Sequence, residues 1–559
     1  MCGILFAQMK KQNQNQLELL KTCFSKIKHR GPDASNYLIC ESNCNNGNNN
    51  KYFMGGHRLK IINPSDEGNQ PLELDDNLVL ICNGLIYNYL ELARKHKIPR
   101  SLLRTDIDII LHLYKKGLTP RDICNELDGV FAFVLLDKMQ NRIIMGRDPH
   151  GIRPLFYQMG SVEESIQMVA SEIKAFPKPL DKTIQIFPPN RFYDSEYPSF
   201  QSYNNVFRET MTETSYPIVS EKIYDLLIKA VKKRIDNSDR PVAFLCSGGV
   251  DSSIIFGIAR NYLKMHHPER ELHVYCMNYA KSNSTSYDLF YAEMLMTQYR
   301  DDKQVQFHSV SFTWDEVLMI LDKMPYLMET YDPNTIRASI PMILLAKYLS
   351  EQTEFKVFLS GEGADELFMG YNYFQQVPNG NLANAESRRL MRNLHMFDVL
   401  RADRCFAAHG LEIRIPFLDR DLVHYASNVQ GKLKMFRNGI EKKLLRDAVR
   451  EKIPELTMSR VIDRQKERFS DGCGFSYVPD ILNYVFSCSS ELSSELSSSK
   501  SSSKINKQKL VTLEEKEKSE RAFHKQRFRK AFGEMDHLII KRELPDWCDT
   551  SAKNQKLIG

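Results

Sequence analysis

The sequence predicts two regions of different β architecture: a strand-rich α+β region over roughly the first 200 residues, followed by an α/β region with a parallel sheet. In the first region, the short apolar runs Leu78–Cys82 and Ala132–Leu136 indicate buried strands. From Ser220 onward, strands alternate with helices, which is the pattern of a parallel sheet with crossover helices. A chain of 559 residues has room for three domains of roughly 100–200 residues each.

Helical patterns fall at Leu17–Lys28 and Asp106–Lys116. The Asn-rich segment Asn43–Asn50 is predicted to be a flexible loop between two strands, and residues 196–216 a linker. The Ser-rich segment Ser487–Lys504 is predicted to be disordered and to precede a charged C-terminal helix. The second region is expected to contain, in order, a helix at Tyr224–Lys233, a strand at Pro241–Cys246, a helix at Ser252–Leu263, and strands at His273–Met277 and Lys356–Ser360.

Composition places the chain among soluble globular proteins and excludes several other classes. Hydrophobic residues make up 42% and charged residues 26%, and a net charge of +6 is too small to indicate a nucleic-acid partner. The longest apolar run, Val130–Leu136, is far shorter than the roughly 18 residues of a membrane helix, and the N-terminus shows no secretory signal. The 12 cysteines are scattered, without the grouping of a disulfide framework or zinc site. We therefore expect a reduced, cytoplasmic protein.

Cys2 is a candidate nucleophile. If the initiator Met is removed, Cys2 carries a thiol and a free α-amine, whose reference pKa of about 7.7–8.0 allows it to draw the thiol proton. Taken alone, a cysteine at the second position is more often an accident of sequence.

Asn83 and Gly84 end a predicted strand and offer an amide side chain and a backbone N–H for an oxyanion hole, although Asn-Gly also marks ordinary turns. Arg58 could clamp a carboxylate, and Asp106 could hold an ammonium group or cap a helix.

Two glycine-rich loops follow predicted strands of the second region. Ser247–Ser253 opens a helix, so its backbone N–H groups converge where an anion is favoured, and it lacks the Walker A pattern. Asp251 within it suits Mg²⁺, which prefers carboxylate and phosphate oxygens. Ser360–Glu366 places three carboxylates at the carboxyl end of a strand, where open α/β sheets bind ligands. The alternatives are a glycine turn with hydroxyl caps and a solvated acidic turn.

With these motifs, the chain resembles the glutamine-hydrolysing asparagine synthetases. That family joins an N-terminal-nucleophile (Ntn) glutaminase domain, an αββα sandwich, to an ATP pyrophosphatase-type synthetase domain with a parallel α/β sheet and a helical C-terminal region. The resemblance implies domains at residues 2–200 and 216–480, with a Ser-rich insertion and a helical tail at 481–559. It covers nearly the whole chain through Met1–Ile4, His29–Asp33, Arg58–Leu59, Asn83–Gly84, Thr105–Asp106, Ser247–Ser253, Glu329–Asp332, Thr335–Ser339, Ser360–Glu366, Glu412–Asp419 and Arg464–Glu467.

The resemblance implies ATP-dependent synthesis of asparagine from aspartate with ammonia from glutamine, through β-aspartyl-AMP, with release of AMP, pyrophosphate and glutamate. Cys2 would attack glutamine, Glu362 would accept the proton of ammonia, and Lys442 would stabilise pyrophosphate. Asp251 and Asp365 are similar to the Mg²⁺ ligands, and a homodimer is common in the family. The implied glutamine contacts are Arg58, Asn83, Gly84, Leu85 and Asp106. The implied ATP contacts are Cys246, Ser247, Gly248, Gly249, Asp251, Ser252, Met277, Ser360 and Gly361, and the implied aspartate contact is Arg337.

Three positions depart from the family pattern. Leu85 stands where the family has Glu, so a charged partner of the glutamine α-ammonium is missing. Pro149 replaces a frequent His, and Met369 replaces the usual Gly after the acidic loop. The segment Arg147–Leu155 is instead similar to phosphoribosyl-pyrophosphate amidotransferases, which share the Ntn domain.

The motifs leave three alternatives to this interpretation: another Ntn amidotransferase, a β-lactam synthetase-like ligase, and a glutamine or ATP sensor without activity. The Ser247–Ser253 loop argues against the first alternative, and Cys2 argues against the second. Only Leu85 favours the third.

Overall fold

The computed structural model describes residues 1–9, 14–42, 50–160, 165–207, 215–281, 285–467, 469–474, 476–497 and 512–548 of the chain. The loop predicted at Asn43–Asn50 lies, apart from Asn50, outside these residues. No helix of the described part is long and apolar enough to cross a membrane.

The N-terminal region contains two six-stranded sheets. Their order is β10-β8-β9-β1-β3-β2 and β12-β11-β7-β6-β5-β4, and neighbouring strands are antiparallel. The strands are β1 (Gly3–Met9), β2 (Ala34–Glu41), β3 (Lys51–Arg58), β4 (Leu72–Leu74), β5 (Leu78–Ile86), β6 (Gly129–Asp137), β7 (Arg142–Arg147), β8 (Phe156–Met159), β9 (Ile166–Ala170), β10 (Ile184–Ile186), β11 (Arg191–Asp194) and β12 (Tyr197–Ser202). The helices are α1 (Gln14–Ser25), α2 (Tyr89–Lys95), α3 (Ile109–Lys115) and α4 (Pro120–Glu126).

The two sheets pack face to face between layers of helices. Successive side chains of a strand point to opposite faces, so Ile4 and Phe6 of β1 join the core between the sheets, whereas Leu5 and Ala7 join the core on the outer face. Helix α1 and, from the far end of the chain, the helix Leu513–Phe532 cover that outer face. Helices α2, α3 and α4 cover the outer face of the other sheet. The layers are therefore helix, sheet, sheet, helix, in the order that the resemblance implies.

The second region is built on a five-stranded sheet of order β15-β14-β13-β16-β17, with all strands parallel. The strands are β13 (Val242–Leu245), β14 (Leu272–Tyr279), β15 (Val305–Phe312), β16 (Val357–Leu359) and β17 (Glu412–Arg414). The helices are α5 (Tyr216–Asp236), α6 (Val250–His266), α7 (Tyr287–Met296), α8 (Trp314–Leu321), α9 (Met324–Met328), α10 (Pro333–Gln352), α11 (Ala364–Phe368), α12 (Gly380–Asn393), α13 (Asp398–Ala407), α14 (Arg420–Asn428), α15 (Gly431–Lys434), α16 (Lys443–Arg450), α17 (Pro454–Met458), α18 (Phe469–Gly472), α19 (Tyr477–Ser497) and α20 (Leu513–Phe532).

The strand order of this sheet positions the two glycine-rich loops side by side. β14 pairs with one edge of β13 and β16 pairs with the other, so the direction of the winding reverses between β13 and β16. The loops Ser247–Ser253 and Ser360–Glu366 leave the carboxyl ends of these two strands. Open parallel sheets bind ligands at this kind of reversal, and the predicted parallel sheet is confirmed.

Three sequence predictions need correction. The stretch predicted as a helix from Asp106 begins with a 3₁₀ turn, and α3 starts only at Ile109. Part of the predicted linker is the edge strand β12, because a strand exposed at a sheet edge does not need an apolar sequence. Ser487–Ser497, predicted to be disordered, continues α19, whose first half is anchored in the core by Tyr477 and Ile481. Residues 498–504 lie outside the described part.

Candidate active sites

Cys2 lies just before β1 in a small cavity of about 30 Å³, which Gly84, Leu85 and Asp106 also line. The backbone N–H of Cys2 donates to Oδ1 of Asn83 at 2.9 Å. The Nδ2 of Asn83 is buried and has no hydrogen-bond partner among the described residues. A buried donor left unpaired costs about 1–3 kcal/mol, so this N–H₂ group is ready to donate to an oxyanion formed beside the thiol.

Gly84 is required by the close approach of the neighbouring strand. A Cβ added there would lie 2.6 Å from the carbonyl oxygen of Val130 on β6. The second region also reaches this cavity, because the Met1 ammonium donates to Oε2 of Glu412 at 3.2 Å. Glu412 belongs to β17, so the two regions meet at the thiol.

Arg58 lines the same cavity, but its guanidinium is already engaged. Nη1 donates to the carbonyl of Ser65 at 2.7 Å and to Oδ1 of Asn69 at 3.1 Å. Nη2 donates to the carbonyls of Ile62 and Asn63 at 2.9 and 2.6 Å. In this arrangement Arg58 holds the 62–69 loop, and the parallel two-bond clamp expected from sequence is not available because the terminal N–H groups are taken.

Asp106 is a buried carboxyl beside Leu85. Its Oδ2 accepts from the N–H of Ile86 at 2.7 Å and its Oδ1 from Oγ1 of Thr105 at 2.9 Å. Burial raises the pKa of Asp106 to about 6, so at neutral pH it is largely ionised and able to hold an ammonium group. Leu85 is 3% exposed and brings no charge to the cavity.

The second candidate site is a cleft of about 200 Å³ at the reversal point of the parallel sheet. Two loops that pack closely against each other form the cleft: a Cβ on Gly361 would lie 2.7 Å from the backbone N of Ser252. Gly248 has a φ of +65°, a backbone conformation that favours glycine. The cleft brings together most of the residues predicted for ATP and for the reaction. They are Cys246, Ser247, Gly249, Asp251, Ser252, Met277, Ser360, Gly361, Glu362, Asp365 and Lys442.

Lysines bridge the carboxylates of this cleft. Nζ of Lys442 lies 2.7 Å from Oδ2 of Asp251 and 2.8 Å from Oδ1 of Asp365, and Lys466 lies 2.5 Å from Oδ2 of Asp365. Burial acts to raise the pKa of Asp365, but the two lysines hold it below its usual value. Lys466 was not assigned from sequence, although it lies within the family-like run Arg464–Glu467. Asp251 and Asp365 converge on the Nζ of Lys442, and carboxylate oxygens of this kind are the ligands that Mg²⁺ takes together with phosphate oxygens.

Glu362 faces the same cleft and is bonded to a helix of the second region. Its Oε2 accepts from Nη2 of Arg401 on α13 at 2.6 Å. Burial raises the pKa of Glu362 despite this arginine. Sequence reasoning missed Arg401, because this residue lies 39 residues along the chain from Glu362 and outside the motifs.

Helix α13 contacts both candidate sites. Besides Arg401, it carries Asp403, whose carboxylate accepts from Nη1 and Nη2 of Arg30 at 2.8 and 2.9 Å. Nε of Arg30 in turn donates to the carbonyl of Cys2 at 2.9 Å. One helix therefore fixes groups beside the thiol and beside Glu362.

Arg337, the expected aspartate contact, does not line the cleft; it lines the cavity that adjoins the cleft, and its guanidinium is paired with Glu520. Its Nε donates to Oε1 of Glu520 on α20 at 2.9 Å, and its Nη2 donates to Oε2. Both side chains are buried. Freeing Arg337 for a substrate would leave the Glu520 carboxylate buried without this partner, which is costly. The contact of Arg337 with aspartate stays a prediction.

Met369, which stands where the family has Gly, adopts the backbone conformation that favours glycine. Its φ is +59°, and it caps the short helix α11. A side chain in this left-handed region is strained, and the surrounding core, in which Met369 is fully buried, must hold it there.

Comparison with known proteins agrees with this architecture. Residues 1–207 match the glutamine amidotransferase domain, and residues 222–387 and 375–538 match the asparagine synthase family. The glutamine-hydrolysing asparagine synthetase of Homo sapiens is 36% identical over 474 residues, which are 80% of each chain. A probable glutamine-hydrolysing asparagine synthetase of Acanthamoeba polyphaga mimivirus is 32% identical over 569 residues, covering 98% of this chain and 97% of the relative.

A solved structure of glutamine phosphoribosylpyrophosphate amidotransferase from B. subtilis is 15% identical and covers 56% of this chain and 81% of its own, with a TM-score of 0.29, too low to carry weight. The sequence matches define the class of protein, a glutamine amidotransferase domain followed by an asparagine synthase domain. The chain belongs to the family of glutamine-hydrolysing asparagine synthetases.

Proposed function

We infer that the chain makes asparagine from aspartate, with ATP as energy source and glutamine as nitrogen donor, through β-aspartyl-AMP. It releases AMP, pyrophosphate and glutamate. One observation supports this most strongly. The chain matches both family domains. In keeping with this match, the N–H of Cys2 donates to Asn83, whose Nδ2 has no partner among the described residues, and Glu362 lies on a glycine-rich loop that lines the cleft.

In the glutaminase site, we propose that Cys2 is the nucleophile once Met1 is removed. The free amine at Cys2 takes the thiol proton, and the thiolate attacks the side-chain amide of glutamine. Nδ2 of Asn83 and the N–H of Gly84 stabilise the oxyanion. Asp106 holds the α-ammonium, Leu85 contributes an apolar wall, and Arg58 contributes by holding the 62–69 loop. The tetrahedral intermediate then collapses: the C–N bond breaks, the leaving nitrogen takes the proton held by the Cys2 amine and departs as ammonia, and a thioester remains. Water hydrolyses this thioester to glutamate and the free Cys2 thiol.

In the synthetase site, the loop Ser247–Ser253 binds the ATP phosphates at the N-terminus of α6. Asp251 and Asp365 are the residues that would hold Mg²⁺, which screens phosphate charge when bound. Lys442 stabilises the departing pyrophosphate. A β-carboxylate oxygen of aspartate displaces pyrophosphate at the α-phosphate. Ammonia then attacks the β-carbonyl carbon of the adenylate and displaces AMP, and Glu362 accepts a proton from the attacking nitrogen, a role that its raised pKa suits.

Two sites in one chain solve a chemical difficulty. Free ammonia in neutral water is mostly protonated, and ammonium is not a nucleophile. Ammonia released at Cys2 and passed inside the protein stays reactive until it meets the adenylate. The proposal includes domain limits at residues 2–200, 216–480 and 481–559, an Ntn-type first domain, a homodimer and a cytoplasmic location.

The test is a steady-state assay of the full chain with aspartate, ATP and Mg²⁺, measuring pyrophosphate and asparagine. Glutamine and ammonia should each support the reaction, and each asparagine should accompany one pyrophosphate. Glutamate release without asparagine in the complete mixture would contradict the synthetase assignment. Omitting Mg²⁺ should stop pyrophosphate release but leave glutamine hydrolysis.

A further inference from the structure

A second cavity of about 330 Å³ adjoins the nucleotide cleft. The cavity lies between the start of α10, helices α12 and α20, and the C-terminal segment after α20. It shares five lining residues with the cleft, so the two spaces meet beside the acidic loop. The shared residues are Asn334, Glu366, Tyr371, Asp398 and Arg542.

Arg542 is the cationic residue at this junction, and its hydrogen bonding is incomplete. Nη2 reaches Oδ2 of Asp398 at 3.4 Å, and Nε lies 3.7 Å from Oδ2 of Asp332, beyond hydrogen-bond distance. Nε is buried and has no hydrogen-bond partner among the described residues. The guanidinium is held in place by stacking on Phe397 at 4.4 Å. It is thus positioned but only weakly paired.

The neighbouring carboxylates have better partners of their own. Oδ1 of Asp398 lies 2.7 Å from Nη1 of Arg401, and Oδ2 of Asp332 accepts from the N–H and hydroxyl of Thr335 at 2.9 and 2.8 Å. Arg542 therefore contrasts with Arg337, whose guanidinium is committed to Glu520. An arginine that is stacked, largely buried and short of partners is suited to a ligand carboxylate, which it binds with two parallel bonds.

We propose that Arg542 binds the α-carboxylate of the acidic amino-acid substrate in this second cavity. The inference rests on the proposed function and adds the subsite for aspartate. With its α-carboxylate on Arg542, the substrate would extend its β-carboxylate across the shared wall toward the cleft that holds Asp365 and Lys442. Arg337 then acts as an anchor for α20 through Glu520.

The experiment uses the full chain with ammonia as nitrogen donor, so that the glutaminase site plays no part. Arg542→Gln should raise KM for aspartate about tenfold to a hundredfold, the range for a lost charged hydrogen bond, and leave KM for ATP unchanged. Arg542→Lys should give a KM for aspartate between those of the wild type and Arg542→Gln, because lysine keeps the charge but lacks the paired donors. Lys530→Gln, which removes an exposed cation of α20 that does not line this cavity, is the control and should leave both constants unchanged.

β-Alanine, which is aspartate without the α-carboxylate, should inhibit the wild type and Arg542→Gln equally. The inference is overturned if KM for aspartate stays within about twofold of wild type in both Arg542 variants. It is also overturned if KM for ATP rises in parallel or if Tm falls together with kcat while KM is unchanged, since those results indicate a structural role. If the wild type released no pyrophosphate with aspartate, the proposed function would fail as well.

Discussion

The glutaminase cavity and the nucleotide cleft hold their polar groups ready in different ways. Around Cys2 the positions are set by the hydrogen bond of its N–H to Asn83 and by the buried Arg30, which donates to the Cys2 carbonyl, and the Nδ2 of Asn83 has no hydrogen-bond partner among the described residues. In the cleft, charges neutralise one another before any ligand arrives, with Lys442 between Asp251 and Asp365. In the first site an amide donor is free to bond an oxyanion. In the second site the ion pairs of Lys442 must rearrange when substrates bind.

This difference predicts how each site responds to substitution. A site preorganised by hydrogen bonds loses its reaction when the reacting atom is removed, and loses about 10²–10³ in kcat when an oxyanion donor is removed. A site of interlocked charges responds to each change of charge, because removing one partner leaves another buried and unpaired. The four predictions below test this contrast, from the largest expected effect to the smallest.

Cys2→Ala should abolish glutamine-dependent synthesis and leave ammonia-dependent synthesis near the wild-type rate, because only the glutaminase nucleophile is lost. Assays of asparagine formation with each nitrogen source measure this directly. An extra residue retained before Cys2 should act in the same way, since it removes the α-amine. Cys82→Ala, which removes a buried thiol on β5 of the facing sheet, is the control and should keep both activities. Loss of the ammonia reaction in Cys2→Ala would mean that the sites are not separable.

Glu362→Gln should lower asparagine formation about 10²–10⁴-fold with either nitrogen source, the usual cost of losing a general base. ATP binding, measured by titration calorimetry, should largely survive because loop contacts carry it. Glu366→Gln is the matched control on the same loop. Burial raises the pKa of Glu366 to about 8, so at pH 7 the residue is mostly neutral and Gln replaces it closely. Near-normal synthesis in Glu362→Gln would remove Glu362 from the mechanism.

Leu85→Glu should lower KM for glutamine by about ten to a hundred and fifty-fold, since a charged hydrogen bond contributes about 1.5–3 kcal/mol. kcat should change little because the oxyanion hole of Asn83 and Gly84 is untouched. Assays at pH 8 are preferred, because Asp106 titrates near pH 6. Leu85→Gln is the neutral control. An unchanged or higher KM in Leu85→Glu would show that the ammonium is bound by another residue.

Glu366→Gln should change how stability depends on pH. The folded pKa of about 8 lies above the ordinary value of 4.5, so the folded state binds the proton more tightly than the unfolded state. The stabilisation from this carboxyl is complete below about pH 4.5 and is lost as pH rises toward 8. Tm of the wild type should therefore fall relative to Glu366→Gln between pH 5 and pH 8. Glu351→Gln, on the exposed side of α10, is the control, and its Tm should depend on pH as the wild-type Tm does. The same dependence in Glu366→Gln would contradict the raised pKa.

Local patterns were sufficient for the parallel sheet and for its two glycine-rich loops. Glycines and hydroxyls between an apolar strand and a helix report backbone geometry within a few residues, and the structure places Ser247–Ser253 and Ser360–Glu366 together in one cleft. The disorder predicted for Ser487–Ser497 was wrong because the anchor of α19, at Tyr477 and Ile481, lies before the Ser-rich segment. The composition of a segment does not report how the residues before it pack, and that packing stabilises the helix into which the segment extends.

The sequence by itself determined the candidate nucleophile Cys2, the amide of Asn83 and the acidic loop, since each is recognised from its own residue types and their immediate neighbours in the chain. Only the tertiary structure decided which arginines are free for a ligand. Arg337 meets Glu520 across 183 positions of the chain, and Arg58 gives its donors to loop carbonyls. Arg542, which no motif marked, is left underpaired. The physical reason is that a buried guanidinium is committed to whichever acceptors packing brings nearest, and that choice depends on long-range contacts.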